Sequence, residues 1–368
     1  MERMSAHGTM PRSAWIFPLL SMLLFAAITV LGYGFTPSPT GLVFAAVLLV
    51  ILFGTVFAAV HHADVIAHEL GEPYGTLLLT LSVTVIEVAL IATIMLGDTA
   101  APALARDTVF AVVMIVCNGL VGICILMGGL RYREQDVQVL GANVYLSVLF
   151  VLATITLVLP NYTLTTPGPV YSAAQLGFVS VVTILLYGVF LYTQTIRHRS
   201  YFVGPSSGPD EHGTTLPRSM FALSVGLLLA ALIGVVLLAK KFSLVVDAAV
   251  AATGAPPALA GVLVALLILL PESVAAIAAA RANDLQKSVN LALGSSLATI
   301  GLTIPAVDAA AYALDKQLVL GLNPQSTVLL VLTLALSMLT FGAGRTNVLF
   351  GLVHMVVFAV FLFMLFVP

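Results

Sequence analysis

The chain has 368 residues, of which 60% are hydrophobic and 8% are charged, and its mean hydropathy is +1.13. Soluble domains carry about 25% charged residues, so the composition excludes an ordinary water-soluble protein and predicts an all-α polytopic membrane protein surrounded by lipid. The formal net charge of −2 gives no indication of a nucleic-acid partner.

The hydropathy pattern predicts eleven transmembrane helices. A helix needs about 20 apolar residues to cross the hydrocarbon core of a bilayer. Runs that meet this requirement lie at 14–34, 40–60, 73–96, 107–130, 139–160, 171–196, 219–240, 258–281, 284–311, 325–343 and 346–367.

The longest polar connection separates the sixth span from the seventh. Its Ser, Gly and Pro content predicts a flexible cytoplasmic linker at 197–218. We therefore predict an N-terminal tail with an extra first helix at 1–39, then a five-helix half at 40–196, the linker, and a second five-helix half at 219–368.

Lysine and arginine predict the orientation. If the N-terminus lies in the cytoplasm, ten of the fourteen basic residues are cytoplasmic, namely Arg3, Arg12, Arg131, Arg133, Arg197, Arg199, Arg218, Arg281, Lys287 and Arg345. The other face then holds Arg106, Lys240, Lys241 and Lys316. The positive-inside rule favours this arrangement, which places the C-terminus outside.

Two glutamates lie in the middle of apolar spans. Glu87 occurs in "LSVTVIEVALIATIML" and Glu272 in "VALLILLPESVAAIAAA", each on the second span of its half. Because each half has an odd number of spans, the second half is inserted in the opposite orientation to the first. Inverted repeats with a polar site at the midplane are a recurrent plan of transporters.

These glutamates predict competition between protons and cations. No lysine or arginine lies in the middle of a predicted span, so no fixed positive charge balances a carboxylate at that depth. Desolvation favours the protonated acid, whereas a cation that arrives from water favours the carboxylate. The expected activity is therefore cation/proton antiport and not enzyme catalysis, with the metal ion as cargo and no cofactor. The alternative is that each glutamate stays protonated and only packs between helices.

Several oxygen-bearing side chains are predicted to complete the site with Glu87 and Glu272. Thr80 and Thr84 share a helical face with Glu87. The other candidates lie on the span after each glutamate, and they are Asn118, Ser295, Ser296 and Thr299. Pro271 removes a backbone donor just before Glu272, which frees a carbonyl group.

A histidine-rich stretch leaves a different function open. In "HHADVIAHELGE", His61, Asp64 and His68 share a helical face and could bind zinc in an intramembrane metal-dependent hydrolase. The stretch lacks the second histidine of His-Glu-x-x-His. It is also compatible with a solvated juxtamembrane helix, or with pH sensing by His61, His62 and His68. His354 is a lone polar residue in the last span and is predicted to be a packing donor. A passive channel is disfavoured because no filter-like loop or ring of charges is present.

Five stretches resemble the ChaA-type antiporters of the calcium/cation antiporter superfamily. They are "HADVIAHELGEPYGTLLLTLSVTVIEVALI", "PALARDTVFAVVMIVCNGLVG", "GVLVALLILLPESVAAI", "GSSLATIGLTIPAV" and "GRTNVLFG". The resemblance implies exchange of calcium, or of sodium or potassium, for protons across a bacterial inner membrane. It also implies two α-repeats, at about 73–130 and 258–311, each contributing one essential glutamate, here Glu87 and Glu272.

The sequence departs from the wider calcium/proton exchangers next to both glutamates. Those proteins have Gly-Asn-x-x-Glu, whereas this chain has Thr84 and Leu269 where the asparagine would be. Calcium prefers about six to eight oxygen ligands, and two amide oxygens are missing. The transported ion therefore stays open between Ca²⁺, Na⁺ and K⁺, as does assembly into a homo-oligomer.

Overall fold

A computed structural model of the chain describes residues 10–32, 35, 38–71, 73–95, 102–202, 217–314 and 316–367. Residues 203–216 of the predicted linker lie outside these ranges, and so does Arg3. Helix is the dominant structure because a backbone in hydrocarbon must satisfy its polar groups internally.

Eleven helices in the described residues are long and apolar enough to cross a membrane, as predicted. They are α1 (Arg12–Leu31), α2 (Pro39–Leu70), α3 (Tyr74–Met95), α4 (Leu104–Tyr132), α5 (Val139–Tyr162), α6 (Ala173–Arg197), α7 (Arg218–Thr253), α8 (Ala258–Arg281), α9 (Leu285–Ala313), α10 (Pro324–Gly342) and α11 (Val348–Phe366). A short 3₁₀ turn follows at Arg199–Tyr201.

Two helices are much longer than their predicted spans. Helix α2 has 32 residues and α7 has 36, whereas about 20 suffice to cross a bilayer. Helix α2 therefore continues through the histidine-rich stretch. Helix α7 continues through Lys240 and Lys241 to Thr253, thirteen residues beyond the predicted span of 219–240. Hydropathy marks where a helix leaves hydrocarbon, and the backbone can stay helical beyond that point.

Polar residues at the helix ends define where several helices begin. Ser38 accepts a hydrogen bond from the Gly41 backbone at 3.1 Å, and Pro39 takes the first helical position of α2. At α6, Ser172 and Gln175 form a reciprocal capping box. Such caps satisfy backbone donors that the first turn leaves without partners.

Two of the helices contain wide turns that matter for the site. Residues Ile115–Leu120 of α4 and Thr299–Thr303 of α9 form π-helical turns. In α4, the Val121 amide bonds to the carbonyl of Val116 five residues back, and also to that of Asn118. Similar turns occur near the ends of α5 and α6. Such bulges are frequent at functional sites.

The helices divide into two compact units. One unit contains the described residues from 10 to 90 together with 217–248, which are α1, α2, most of α3 and most of α7. Within it, α1 packs along α2. The Thr55 hydroxyl lies 3.2 Å from the carbonyl of Phe17, and Nε2 of the fully buried His62 lies 2.9 Å from the carbonyl of Ala14.

The second unit contains the described residues from 91 to 202 and from 249 to 367. Helix α4 forms its centre and is almost entirely buried, mainly by α8 and α11 and also by α9 and α10. Two short antiparallel strands, β1 (Glu134–Asp136) and β2 (Arg345–Asn347), pair in this unit. Arg345 forms an ion pair with Asp136 at 3.1 Å. The predicted halves 40–196 and 219–368 are defined by the number and orientation of the spans on each side of the linker, and they stay a prediction.

Candidate cation site

Helix α3 buries Glu87 in the first unit. The Glu87 side chain is 1% exposed and is the one charged side chain of α3. Thr84, one turn earlier, donates its hydroxyl proton to the carbonyl of Thr80 at 2.9 Å, and Thr80 donates to that of Thr76 at 2.8 Å. Because the Thr84 hydroxyl proton is used within the helix, this group can present only oxygen lone pairs to a cation. Thr84 and Glu87 thus offer oxygens on one face.

Helix α8 carries Glu272 in the second unit. Glu272 follows Pro271, which lies inside the helix. Proline has no backbone N–H, so the carbonyl of Leu267 loses its usual helical donor. The Glu272 side chain is half-buried, and its Oε2 atom is shielded from solvent. A carboxylate and a backbone oxygen of α8 are therefore both present near the proline.

Helix α9 packs closely against α8 and carries the three predicted hydroxyls. Ser296 and Thr299 are buried, Ser295 is half-buried, and Thr299 begins the wide turn of α9. The Ser296 hydroxyl has no hydrogen-bond partner within the described part of the chain. A buried hydroxyl without a partner costs free energy, and ligation by a cation would offset part of that cost.

Asn118 of α4 bonds to side chains of two other helices, α10 and α11. Its Nδ2 donates to the Thr333 hydroxyl of α10 at 2.8 Å, and its Oδ1 lies 3.2 Å from Nδ1 of His354 on α11. His354 Nε2 lies 3.0 Å from the Thr340 hydroxyl. All four side chains are fully buried. Both ends of the Asn118 amide are thus in contact with other side chains. Its role as a cation ligand stays a prediction.

Sequence reasoning missed the partners of Asn118. Thr333, Ser337 and Thr340 recur at spacings of four and three on α10, and all three are fully buried. That polar stripe on an apolar helix was a signal that could have found them. His354, predicted to be a packing donor, lies within hydrogen-bond distance of two buried side chains from other helices.

The histidine-rich stretch does not form the predicted zinc cluster. His61 is half-buried, while Asp64 and His68 are exposed. Within the described residues, no group of three or more His, Cys, Asp or Glu could hold a metal ion. The hydrolase alternative is not supported. His62 is buried against α1 and not solvated, and pH sensing by His61, His62 and His68 stays a prediction.

Comparison with known proteins decides the family. The family described as sodium/calcium exchanger protein matches residues 40–196 and 223–367. The chain belongs to this family. The two matched segments nearly coincide with the predicted halves, and each contains one of the two central glutamates. The chain is therefore a multi-pass membrane protein of a cation antiporter family.

Curated relatives support the same family. The chain is 46% identical to y4hA of Sinorhizobium fredii, a protein named as an ionic transporter, over 99% of this chain and 98% of that protein. It is 38% identical to the sodium-potassium/proton antiporter ChaA of Escherichia coli, over 95% of both. A Ca²⁺/H⁺ antiporter of Synechocystis is 24% identical over 66% of this chain and 69% of that one.

Solved structures show the same fold in more distant exchangers. The Ca²⁺/H⁺ antiporter YfkE superposes with a TM-score of 0.70 at 17% identity, over 97% of this chain and 100% of that chain. The H⁺/Ca²⁺ exchanger CAX gives 0.63 at 15% identity, over 95% and 89%. At these identities the likeness establishes the fold alone.

Proposed function

We propose that the protein is a secondary antiporter that exchanges a cation, either Ca²⁺ or Na⁺/K⁺, for protons through Glu87 and Glu272. The observation that carries this proposal is Glu87, a carboxylate 1% exposed in the middle of an apolar helix. Glu272 gives the second matched segment its own carboxylate, on the second span of its predicted half. Membership of the family supports antiport as the class of activity, and the two glutamates support the exchange of protons for cations.

The proposed mechanism is competition for the same oxygens. Transfer of a carboxylate side chain to the bilayer centre costs about 2.5–3.5 kcal/mol on insertion scales, which favours the protonated acid in an empty site. A cation restores the charged forms by direct coordination. Binding of the cation therefore releases protons, and protonation on the other side of the membrane releases the cation.

The remaining ligands in this proposal are neutral oxygens. Thr84 and Thr80 serve the first glutamate, whereas Ser295, Ser296 and Thr299 serve the second. The unpartnered hydroxyl of Ser296 supports its inclusion. Hard cations such as Ca²⁺ accept hydroxyl, carbonyl and carboxylate oxygens together.

Both ion classes belong in the proposal. The relative from Escherichia coli is named as a sodium-potassium/proton antiporter, and the one from Synechocystis as a Ca²⁺/H⁺ antiporter. The distribution of lysine and arginine supports a cytoplasmic N-terminus. The resemblance to bacterial antiporters supports an inner-membrane location.

The decisive experiment measures proton flux in proteoliposomes after Ca²⁺, Na⁺ or K⁺ is added separately. The wild-type protein should dissipate an imposed pH gradient with at least one of the three ions. Glu87→Gln and Glu272→Gln should each reduce this flux to the level of protein-free vesicles, because an amide neither binds the proton nor balances the cation.

The matched control is Glu134→Gln, the same substitution at an exposed glutamate outside the helices. This variant should transport as the wild type does. Substantial exchange by either Glu87→Gln or Glu272→Gln, with normal expression, would contradict the assignment of that glutamate. Absence of flux with all three ions would contradict the proposed activity.

A further inference from the structure

The wide turn of α4 changes the hydrogen bonding of one carbonyl. In a regular helix the Val121 amide would bond to the carbonyl of Cys117, four residues earlier. Here it bonds to Val116 and Asn118 instead. The Cys117 carbonyl thus loses its regular donor within a fully buried part of the protein.

His354 of α11 lies at this position. Its imidazole interacts with the backbone carbonyl of Cys117 and also contacts the Asn118 side chain. Because Asn118 gives its amide N–H to Thr333, the Asn118 oxygen faces His354 and requires a donor. In the neutral imidazole this places the ring proton on Nδ1, and Nε2 then accepts the hydroxyl proton of Thr340. The ring is therefore held at both nitrogens.

Close backbone contact accompanies these hydrogen bonds. A Cβ atom added to Gly122 would lie 3.1 Å from the His354 Cβ and 3.2 Å from the Gly351 carbonyl oxygen. One added to Gly351 would lie 2.7 Å from the Leu126 backbone nitrogen. Small residues let the two helix backbones approach, so α11 is fixed against α4 next to the wide turn.

The other wide turn has a counterpart contact. A Cβ added to Gly301 in α9 would lie 2.8 Å from the Cβ of Tyr187 on α6. In the predicted repeats, α4 and α9 are the third helices of the two halves, while α6 and α11 are the fifth. The last helix of each half therefore packs on the wide turn of the other half.

We propose that His354 is a positioning residue that holds the wide turn of α4 and so sets the turnover rate of exchange. The inference rests on the proposed antiport function. A π-turn is a place where a helix can shift between two hydrogen-bonding registers. Bonds from α11 stabilise one register, so their loss changes the balance between conformations. In this role Asn118 acts on the turn and not on the cation.

The test compares His354→Leu with His354→Gln in reconstituted protein, with initial rates measured over a range of cation concentrations. His354→Leu keeps similar bulk without any donor, and it should lower kcat about fivefold or more while KM changes less than about twofold. His354→Gln offers an amide donor to Asn118 and an acceptor to Thr340, and should recover most of the lost kcat.

Two substitutions on α10 provide an independent check. Thr333→Val removes the partner of the Asn118 amide and should also lower kcat, with less than additive effect when combined with His354→Leu. Ser337→Ala changes a buried hydroxyl on the same face that has no hydrogen-bond partner in the described chain. It should leave kcat and KM unchanged.

Unchanged kcat in His354→Leu would overturn the proposal. So would a change confined to KM, or a His354→Gln variant as slow as His354→Leu. Thermal melting of each variant shows that the compared proteins are folded. Glu272→Gln is assayed in parallel: if it transports, the proposed function fails whatever His354 does. If it is inactive while His354→Leu is normal, only this inference fails.

Discussion

The buried hydroxyls of this protein are in two different chemical states. Thr84 and Thr333 donate their protons to carbonyls of their own helices, a common arrangement for threonine in apolar helices. The Ser296 hydroxyl has no such partner among the described residues. A bonded hydroxyl such as that of Thr84 can offer a cation only its lone pairs, whereas the Ser296 hydroxyl has neither its proton nor its lone pairs engaged within the described part of the chain.

Ser296→Ala should weaken apparent cation affinity about tenfold, the equivalent of ~1.4 kcal/mol, without loss of thermal stability. Removal of a buried hydroxyl that makes no hydrogen bond costs little. Cation-dependent proton flux and thermal melting of the purified protein measure the two effects.

Ser288→Ala is the control on the same helix. The Ser288 hydroxyl is buried and contacts the Cys124 thiol, so its loss should lower stability by about 0.5–1.5 kcal/mol and leave affinity unchanged. Normal affinity in Ser296→Ala would remove this serine from the proposed ligand set.

Individual residues also show how far sequence reasoning reached. Glu87 and Glu272 could be selected because a carboxylate within a long apolar run is easily recognised in a single sequence. The partners of Asn118 could not be predicted, since Thr333 and His354 lie 215 and 236 positions away. Such contacts depend on the relative rotation of three helices, which hydropathy does not encode.

At the scale of helices, the number and approximate position of the helices were predictable, but their ends and their π-helical turns were not. Each of the eleven apolar runs forms a helix because a helix satisfies the backbone hydrogen bonds within a single segment in hydrocarbon. The extensions of α2 and α7 were missed because polar residues such as Lys240 and Lys241 also form good helix outside the apolar region. The wide turns of α4 and α9 have no residue pattern that predicted them.

The glycine contact between α4 and α11 can be tested by adding one methyl group. Gly351→Ala should destabilise the protein by about 1–3 kcal/mol, the usual cost of overpacking, because the new Cβ would lie 2.7 Å from the Leu126 backbone nitrogen. A lower thermal midpoint in detergent is the measurement.

Gly188→Ala on α6 is the matched control, since no atom lies within 4 Å of the added Cβ. It should leave the midpoint unchanged or raise it slightly, because alanine favours helix. Equal midpoints for Gly351→Ala and the wild type would show that the two backbones can separate without cost.

At the scale of the whole molecule, the fold class and the family followed from sequence alone, and the meeting of Glu87 with Glu272 stays a prediction. Composition excluded a soluble protein, and short motifs in the right order indicated an exchanger. Whether two side chains on different helices come close together depends on how the two halves pack. The repeated order of spans suggests a symmetric arrangement but does not give the distance between the glutamates.

Charge balance predicts how exchange depends on pH. If one divalent or two monovalent cations replace two protons, apparent affinity should be weak at acidic pH, where the acids are protonated, and should strengthen as pH rises. Over the steep part the dissociation constant should change by up to about a hundredfold per pH unit, or ~2.7 kcal/mol. Flux titrations at a series of pH values measure this slope.

The same balance predicts that an imposed membrane potential barely affects the rate. Potassium-diffusion potentials with valinomycin supply the comparison when Ca²⁺ or Na⁺ is the substrate. Currents that scale with voltage would exclude the neutral two-proton stoichiometry. An affinity independent of pH would exclude competition altogether.

The burial of α4 has a consequence for how the protein is made. The helices that enclose it, α8 to α11, lie at 258–366 and leave the ribosome after it does. At about 5–20 residues per second, α4 waits in lipid on the order of ten seconds before its partners arrive. In the folded protein little of this helix faces lipid, so lipid contact in the final structure does not explain why it is apolar on every side. An apolar surface is needed earlier, when the helix is inserted into the membrane without its partners. During that interval Asn118 and the glycines of α4 lack the partners on α10 and α11 that later enclose them.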